Sequence, residues 1–197
     1  MTPIILASKS PRRAELMQQI GLPFTVCPAD ADESVTPELS PAEAVAEISK
    51  RKALAVRKMR DAGDVIVACD TVVALDHRIF GKPHTAEEAE AMLHLLSGRT
   101  HSVFSGLTVC CGTAVTSAVE CTDVTFRTLS DAEITAYVKS GEPMDKAGAY
   151  GIQGGASIFV RHLDGDYFCV MGLPLCPLAE MLRACGVQVL GDDGRGA

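Results

Sequence analysis

Two arginines at the start of the first predicted helix could bind a phosphate chain. Ser10 suits an N-cap and Pro11 the first helical position, which places Arg12 and Arg13 in the first turn. Cations are unfavourable there because a helix N-terminus carries partial positive charge, and residues that break such a local rule tend to be functional. Backbone N–H groups and guanidinium groups together can bind a polyphosphate. The alternative is a solvated pair of arginines neutralised by Glu15 or a neighbouring acid.

Asp70 lies where a buried strand is predicted to end. It directly follows the apolar run at residues 65–69, and ligands of open α/β sheets bind outside the carboxyl ends of strands. A carboxylate in that place can bind a divalent metal or accept a proton from water. In the alternative interpretation, Asp70 caps a turn together with Thr71.

Lys52 interrupts an apolar stripe on the second predicted helix. Positions 45, 48, 56 and 59 lie on the same helical face and are Val, Ile, Val and Met. A lysine within such a stripe runs its aliphatic stem along the core and delivers its ammonium either to a bound anion or to solvent. Both destinations are compatible with the sequence.

Two glycine-containing segments could approach a ligand closely. Gly81 and Pro83 define a tight loop with Lys82 at its tip, which makes Lys82 a second candidate phosphate contact. The segment 142–155 is irregular and rich in glycine, which lets the backbone come near a ligand. Gln153 offers an amide donor and a carbonyl acceptor, a combination that suits a base edge. The alternative for this segment is a flexible surface loop.

Apolar periodicity and capping residues predict the elements that carry these side chains. Capping boxes are predicted at Ser40 with Glu43, at Thr85 with Glu88 and at Ser130 with Glu133. Helices are predicted over 11–20, 41–59, 85–97 and 175–185, with a further helix after Ser130. Strands are predicted over 3–7, 65–69, 103–111 and 114–129, and as a hairpin of 157–163 with 166–170. This mixture predicts an α/β fold on a mixed sheet, in one domain over 1–190 followed by a polar tail at 191–197.

Charge and length restrict the class of partner. The 197 residues carry a formal net charge of −7, which argues against binding a nucleic acid polymer but not against a small polyanion in a local basic pocket. No apolar run approaches the roughly 20 residues that a membrane span needs. The first residues lack the basic segment of a secretory signal, so we expect a cytoplasmic protein without membrane contact. The eight cysteines lack Cys-x-x-Cys spacing, and we expect buried thiols rather than metal ligands or disulfides.

Five short motifs, in this order, closely resemble those of the Maf family of nucleotide pyrophosphatases. The resemblance covers essentially the whole chain. It implies an α/β fold related to inosine triphosphate pyrophosphatases, with a mixed twisted sheet in two lobes around a nucleotide cleft, and a homodimer. The motifs are LASKSPRR at 6–13, DTV at 70–72, GKP at 81–83, DKAGAYGIQG at 145–154 and GLPL at 172–175.

The same resemblance implies roles for individual residues. Asp70 would be the proton acceptor and, with Glu33, would hold a divalent cation, Mg²⁺ or Mn²⁺. Five further polar residues would hold the triphosphate, namely Ser8, Arg12, Arg13, Lys52 and Lys82.

Within the family, the sequence resembles the branch that acts on dTTP and UTP. That branch is marked here by Arg12, Thr71 and Gln153, whereas a sister branch acting on 7-methyl-GTP has a bulky residue in place of Arg12 and an acid in place of Gln153. On their base edge, uracil and thymine present O2 as an acceptor, N3–H as a donor and O4 as an acceptor. An amide can meet a donor and an acceptor together, whereas a carboxylate only accepts.

Two functions of different classes fit these residues. As an enzyme, the protein would hydrolyse dTTP and UTP, or modified pyrimidine nucleotides, to the monophosphate and pyrophosphate. As a binding module, it would be a nucleotide-responsive regulator of septum formation, an association also made for the family. A binder needs the cations but no activated water, so Asp70 and Glu33 favour the enzyme. A phosphatase that releases orthophosphate is a third possibility.

Overall fold

Seven strands form one mixed sheet in this computed structural model, which describes residues 2–34, 38–76 and 78–190. The strands are β1 (Ile4–Leu6), β2 (Thr25–Val26), β3 (Val65–Leu75), β4 (Arg78–Phe80), β5 (Thr100–Cys111), β6 (Ala114–Phe126) and β7 (Val160–Asp164). Their order is β2-β1-β3-β5-β6-β7, with β4 paired to β3. β1 runs parallel to β2 and β3, whereas β4 and β7 run antiparallel to their partners. The predicted α/β fold on a mixed sheet is confirmed.

The first four helices begin directly after the capping residues that the sequence indicates. They are α1 (Pro11–Gln19), α2 (Pro41–Arg57), α3 (Ala86–Leu96), α4 (Asp131–Lys139), α5 (Tyr167–Met171) and α6 (Leu175–Ala184). Both halves of the capping box form at Ser40 and at Ser130. At Thr85 the hydroxyl accepts from the N–H of Glu88, but the Glu88 carboxylate accepts from the N–H of His84.

Some predicted elements differ in detail from those of the structure. Residues 166–170 were expected to form the second strand of a hairpin, but Tyr167–Met171 is a short helix. The Asp166 carboxylate accepts hydrogen bonds from the N–H groups of Phe168 and Cys169 at 2.9 and 3.1 Å, so it acts as a helix N-cap. In addition, α2 ends at Arg57, which leaves Met59 outside the helix and 61% exposed.

The chain divides into two compact units. The first comprises the described residues of Met1–Asp70, Ser105–Val119 and Gly172–Ala197, and the second those of Thr71–Phe104 and Glu120–Met171. The predicted tail at 191–197 lies outside the described residues, as does His77. Among the described residues, no helix has both the length and the apolar character needed to cross a membrane.

The core of the first unit is built from small and branched apolar side chains. Residues from β1, α2 and β3 pack there with the thiol of Cys110, in a cluster formed by Ile5, Ala7, Ala53, Val56, Ile66, Ala68 and Cys110. All eight cysteines are free, as expected. Cys69, Cys110 and Cys169 are buried, as expected. The other five are half-buried or exposed, so the expectation of buried thiols is wrong for them.

The core of the second unit contains an aromatic cluster around a buried histidine. His101 is 2% exposed, and its ring lies edge-on to Phe126 and Tyr150. Its Nε2 forms a 2.8 Å hydrogen bond with the Tyr150 hydroxyl, while its Nδ1 is buried without a partner among the described atoms. Burial lowers the pKa of His101 from 6.5 to about 4, against a small opposing effect of Asp123.

We therefore expect acid to destabilise the protein through His101. Because the folded-state pKa lies below the unfolded-state value, the unfolded chain binds more protons between pH 6.5 and about 4, and stability falls as pH falls through this window. Between pH 7 and 4.5 the loss from this group is roughly 2 kcal/mol. Urea unfolding at both pH values should show a smaller loss for His101→Gln than for the natural chain. Identical losses would contradict the assignment.

Candidate active site

The carboxyl end of β1 leads directly into the first candidate phosphate-binding segment. Ser8 is buried, and its Oγ accepts hydrogen bonds from the Ser10 N–H at 3.1 Å and from Arg13 Nη1 at 3.3 Å. Ser10 occupies the N-cap position of α1, as predicted, but its side chain makes no capping bond. The hydroxyl that accepts hydrogen bonds at the start of α1 is therefore that of Ser8, not that of Ser10.

The first turn of α1 carries the positive charges of two arginines. That turn is completely described and contains no acidic side chain, and Arg12 and Arg13 are both half-buried. Arg13 Nε donates to the carbonyl oxygen of Gly172 at 2.7 Å. Guanidinium charge and the dipole of α1 therefore favour an anion at the same place. The Gly172 contact also gives Arg13 a fixed orientation.

A buried ion pair joins α2 to β3. The ammonium of Lys52 lies 2.6 Å from Asp70 Oδ1 and 3.0 Å from Glu33 Oε1. The Lys52 and Asp70 side chains are only 10% and 12% exposed, whereas Glu33 is 62% exposed. The alternative in which Lys52 reaches solvent is therefore wrong. An ammonium has three N–H donors, so two carboxylates leave one for a phosphate oxygen.

Asp70 lies within β3 rather than at its end. β3 continues to Leu75, so the prediction that the strand ends before Asp70 is wrong, and so is the alternative turn cap with Thr71. β1 ends at Leu6, which is level with Val67 of β3. Asp70 consequently lies just beyond the carboxyl end of the neighbouring parallel strand, where sheets of this kind bind ligands.

Close packing of α2 on β5 fixes the position of Lys52. One turn before Lys52, the Ser49 hydroxyl is buried and lies 2.9 Å from the Thr108 hydroxyl on β5. Gly106 allows this approach, because a Cβ there would overlap the carbonyl group of Val45 on α2. The helix that carries the ammonium therefore has little freedom to shift.

We expect Gly106→Ala to destabilise the protein and to lower activity. Overpacking of a close contact costs about 1–3 kcal/mol, and relief of the overlap would move α2 and with it Lys52. Gly63→Ala is the matched control, since a Cβ there meets no described atom within 4 Å. Chemical denaturation and turnover should separate the two variants. Equal stability of both would show that α2 can move away from β5 at little cost.

The carboxylates of Asp70 and Glu33 fit a divalent cation as a partial ligand set. Both face the same ammonium, so a positive charge is already favoured between them. Among the described residues, no group of three or more His, Cys, Asp or Glu could hold a metal. Mg²⁺ commonly binds through one or two carboxylates plus substrate phosphates and waters, which is what this pair can offer.

The other predicted site residues belong to the second unit. Thr71 follows Asp70 on β3 and is half-buried, while Lys82 and Gln153 are exposed. The two loops are joined, because the N–H of Gly148 donates to the carbonyl oxygen of Gly81 at 3.0 Å. Lys82 and Gln153 are thus carried by segments of the same unit that hold one another in place.

Sequence interpretation missed the groups that support these side chains. Gly172 belongs to a quoted motif, but nothing in the motif indicates that its carbonyl oxygen orients Arg13. Tyr137 and Glu142 anchor the segment that contains Gln153, and neither was singled out. The available signal was the glycine-rich segment that follows the helix predicted after Ser130.

Comparison with known proteins identifies the family of this chain. A family model described as Maf-like protein matches residues 3–185. The chain belongs to the Maf family. It is 43% identical over 189 residues to a protein of Bacillus cereus (strain AH820) named dTTP/UTP pyrophosphatase, covering 96% of this chain and 98% of that protein. A Desulforamulus reducens protein of the same name is 45% identical over 192 residues, covering 96% and 100%.

A solved structure supports the fold independently. The Maf chain described here superimposes on the Ham1 protein of Staphylococcus aureus with a TM-score of 0.52 at 13% identity, covering 92% of this chain and 98% of that one. At that identity the likeness concerns the arrangement of strands and helices alone.

Proposed function

We propose that this Maf protein hydrolyses dTTP and UTP to the nucleoside monophosphate and pyrophosphate. The observation that carries the proposal is the convergence of Lys52, Asp70 and Glu33 beyond the carboxyl end of β1. Support comes from the relatives named dTTP/UTP pyrophosphatase, which match 96% of the chain at 43% and 45% identity.

The triphosphate is bound by cations of the first unit. Arg12, Arg13 and the N–H groups at the start of α1 bind phosphate oxygens, and Ser8 orients Arg13 through its hydroxyl. Lys52 donates its third N–H to a phosphate oxygen while two carboxylates hold the ammonium in place. These fixed charges stabilise the negative charge that develops as pyrophosphate leaves.

Asp70 accepts the proton of the attacking water. Its second oxygen, Oδ2, is the candidate acceptor, because Oδ1 is 2.6 Å from the Lys52 ammonium. The water attacks the α-phosphorus, the bond to the bridging oxygen breaks, and pyrophosphate leaves. Glu33 and Asp70 would hold Mg²⁺ or Mn²⁺, which when bound supplies positive charge to the phosphate oxygens.

Residues of the second unit contribute a further phosphate contact and the choice of base. Lys82 is the proposed phosphate contact, and Gln153 the residue that meets the acceptor and donor groups of uracil or thymine. Thr71 and Arg12 complete the set expected for the pyrimidine branch. A cytoplasmic homodimer is proposed on the resemblance to the family, and light scattering of the purified protein tests the dimer.

A panel of nucleoside triphosphates with Mg²⁺ or Mn²⁺ tests the function. Turnover of dTTP and UTP to monophosphate and pyrophosphate is the expected result. Preferential turnover of 7-methyl-GTP would assign the chain to the other branch, and orthophosphate alone would make it a phosphatase. Binding of dTTP without any product would favour the alternative function, a nucleotide-responsive regulator.

A further inference from the structure

Two backbone amides on either side of Gln153 are held by one pair of side chains. The N–H of Gly151 donates to the Tyr137 hydroxyl at 3.0 Å, and the N–H of Gly155 donates to Glu142 Oε2 at 2.9 Å. The Tyr137 hydroxyl in turn donates to Glu142 Oε1 at 2.9 Å. The backbone is therefore hydrogen-bonded two residues before Gln153 and two residues after it, in both cases to the Tyr137–Glu142 pair.

The Tyr137–Glu142 pair is itself firmly placed. Tyr137 is 7% exposed on α4, and its ring lies edge-on to Phe159 at 5.2 Å. Burial raises the pKa of the Tyr137 phenol well above its usual value, so it remains a hydrogen-bond donor at neutral pH. The backbone carbonyl of Glu142 accepts from Lys146 Nζ at 2.7 Å.

Two glycines let the segment lie close to the side chains of Glu142 and Lys146. A Cβ at Gly154 would overlap the Glu142 carboxylate, and a Cβ at Gly151 would lie 2.6 Å from Cε of Lys146. A larger residue at either position would have to displace one of these side chains. The exposed Gln153 projects from backbone that is in direct contact with its anchors.

We propose that Tyr137 and Glu142 are positioning residues for pyrimidine recognition, because they fix the backbone from which Gln153 meets the base. The inference rests on the proposed function of Gln153. A single amide discriminates among bases only if its donor and acceptor are held in one orientation, and a freely moving loop would satisfy many edges equally. The pair supplies that restriction without touching the nucleotide.

Tyr137→Phe and Glu142→Gln test the inference. Tyr137→Phe keeps the ring and removes the hydroxyl that Gly151 and Glu142 use, while Glu142→Gln replaces one of two acceptor oxygens by a donor. We expect each to lower the ratio of kcat/KM for dTTP to that for dGTP by about tenfold, mainly through the KM for dTTP. Inhibition by inorganic triphosphate should be unchanged, because that probe has no base.

Glu133→Gln is the matched control. It makes the same acid-to-amide change on α4, the helix that carries Tyr137, but its carboxylate accepts hydrogen bonds from Arg127 and Ser130. We expect this variant to lose stability without a change in the dTTP-to-dGTP ratio. A similar fall in the ratio for Glu133→Gln would show that general loosening of α4 is responsible, and would overturn the inference.

Gln153→Ala, measured in parallel, separates the inference from the function on which it rests. If Gln153→Ala lowers the ratio and the Tyr137 and Glu142 variants do not, the positioning role is wrong and the proposed function stands. If Gln153→Ala leaves the ratio unchanged, base recognition by Gln153 fails and the inference fails with it. Weaker inhibition by triphosphate in the Tyr137 and Glu142 variants would also overturn the inference.

Discussion

Asp70→Asn is expected to lower the turnover of dTTP and UTP by about 10²- to 10⁴-fold, the usual contribution of a general base. The amide keeps the shape of the side chain and can still accept the hydrogen bond from Lys52, but it cannot take a proton from water. Nucleotide affinity should largely persist, since the change removes a negative charge beside the triphosphate. Turnover, dTTP affinity and melting temperature are the measurements.

Asp64→Asn provides the control for Asp70→Asn. Asp64 directly precedes β3, so the same substitution is made at the amino end of the same strand. We expect normal turnover for Asp64→Asn. Turnover of Asp70→Asn within a few-fold of the natural chain would remove Asp70 from catalysis.

Lys52→Met is expected to lower kcat/KM for dTTP by roughly 10²- to 10³-fold, the effect of removing one preorganised charge from a developing anion. Methionine preserves most of the apolar stem but leaves Asp70 and Glu33 without their ammonium. The free energy of unfolding should fall as well, because Asp70 is then a poorly solvated carboxylate without a partner. Assays are therefore run well below the melting temperature of the variant.

Lys50→Met is the comparison for Lys52→Met, since Lys50 is exposed on the same helix. It should retain full activity. Inorganic triphosphate should inhibit Lys52→Met more weakly than it inhibits Lys50→Met. Equal inhibition, with activity lost only in proportion to unfolded protein, would make Lys52 a purely structural residue.

Local sequence signals predicted the starts of elements better than their ends. The reciprocal contacts of Ser40 with Glu43 and of Ser130 with Glu133 involve residues three apart, so the sequence alone specifies them. The end of β3 was harder to predict, because a carboxylate at position 70 suggests that the strand has left the core. The following apolar residues remain buried and the strand continues to Leu75.

The predicted hairpin after residue 157 failed for a related reason. Asp164 and Gly165 form a favourable turn pair, but the Asp166 carboxylate two positions later caps a helix. The turn signal of Asp164 and Gly165 competed with the capping signal of Asp166. In the helix that forms, Cys169 is buried within the second unit. Neither signal is strong enough alone to decide a segment of five residues.

Candidate site residues could be predicted where their type conflicted with their surroundings. Lys52 within an apolar stripe and Asp70 after a buried run both stood out, and the structure brings their side chains to 2.6 Å. Contacts between residues far apart in sequence could not be predicted, because the local surroundings of one residue do not indicate its distant partner. Arg13 with Gly172 is an example, since the two are separated by 159 positions and one partner is a backbone carbonyl.

Hydrolysis of dTTP in water enriched in ¹⁸O tests the central claim most directly. If water attacks the α-phosphorus, the label appears in dTMP and the released pyrophosphate carries none. Mass spectrometry of both products after a single turnover measures this distribution. Label in pyrophosphate with unlabelled dTMP would mean attack at the β-phosphorus, and label in orthophosphate would mean attack at the γ-phosphorus. Either result would contradict the account.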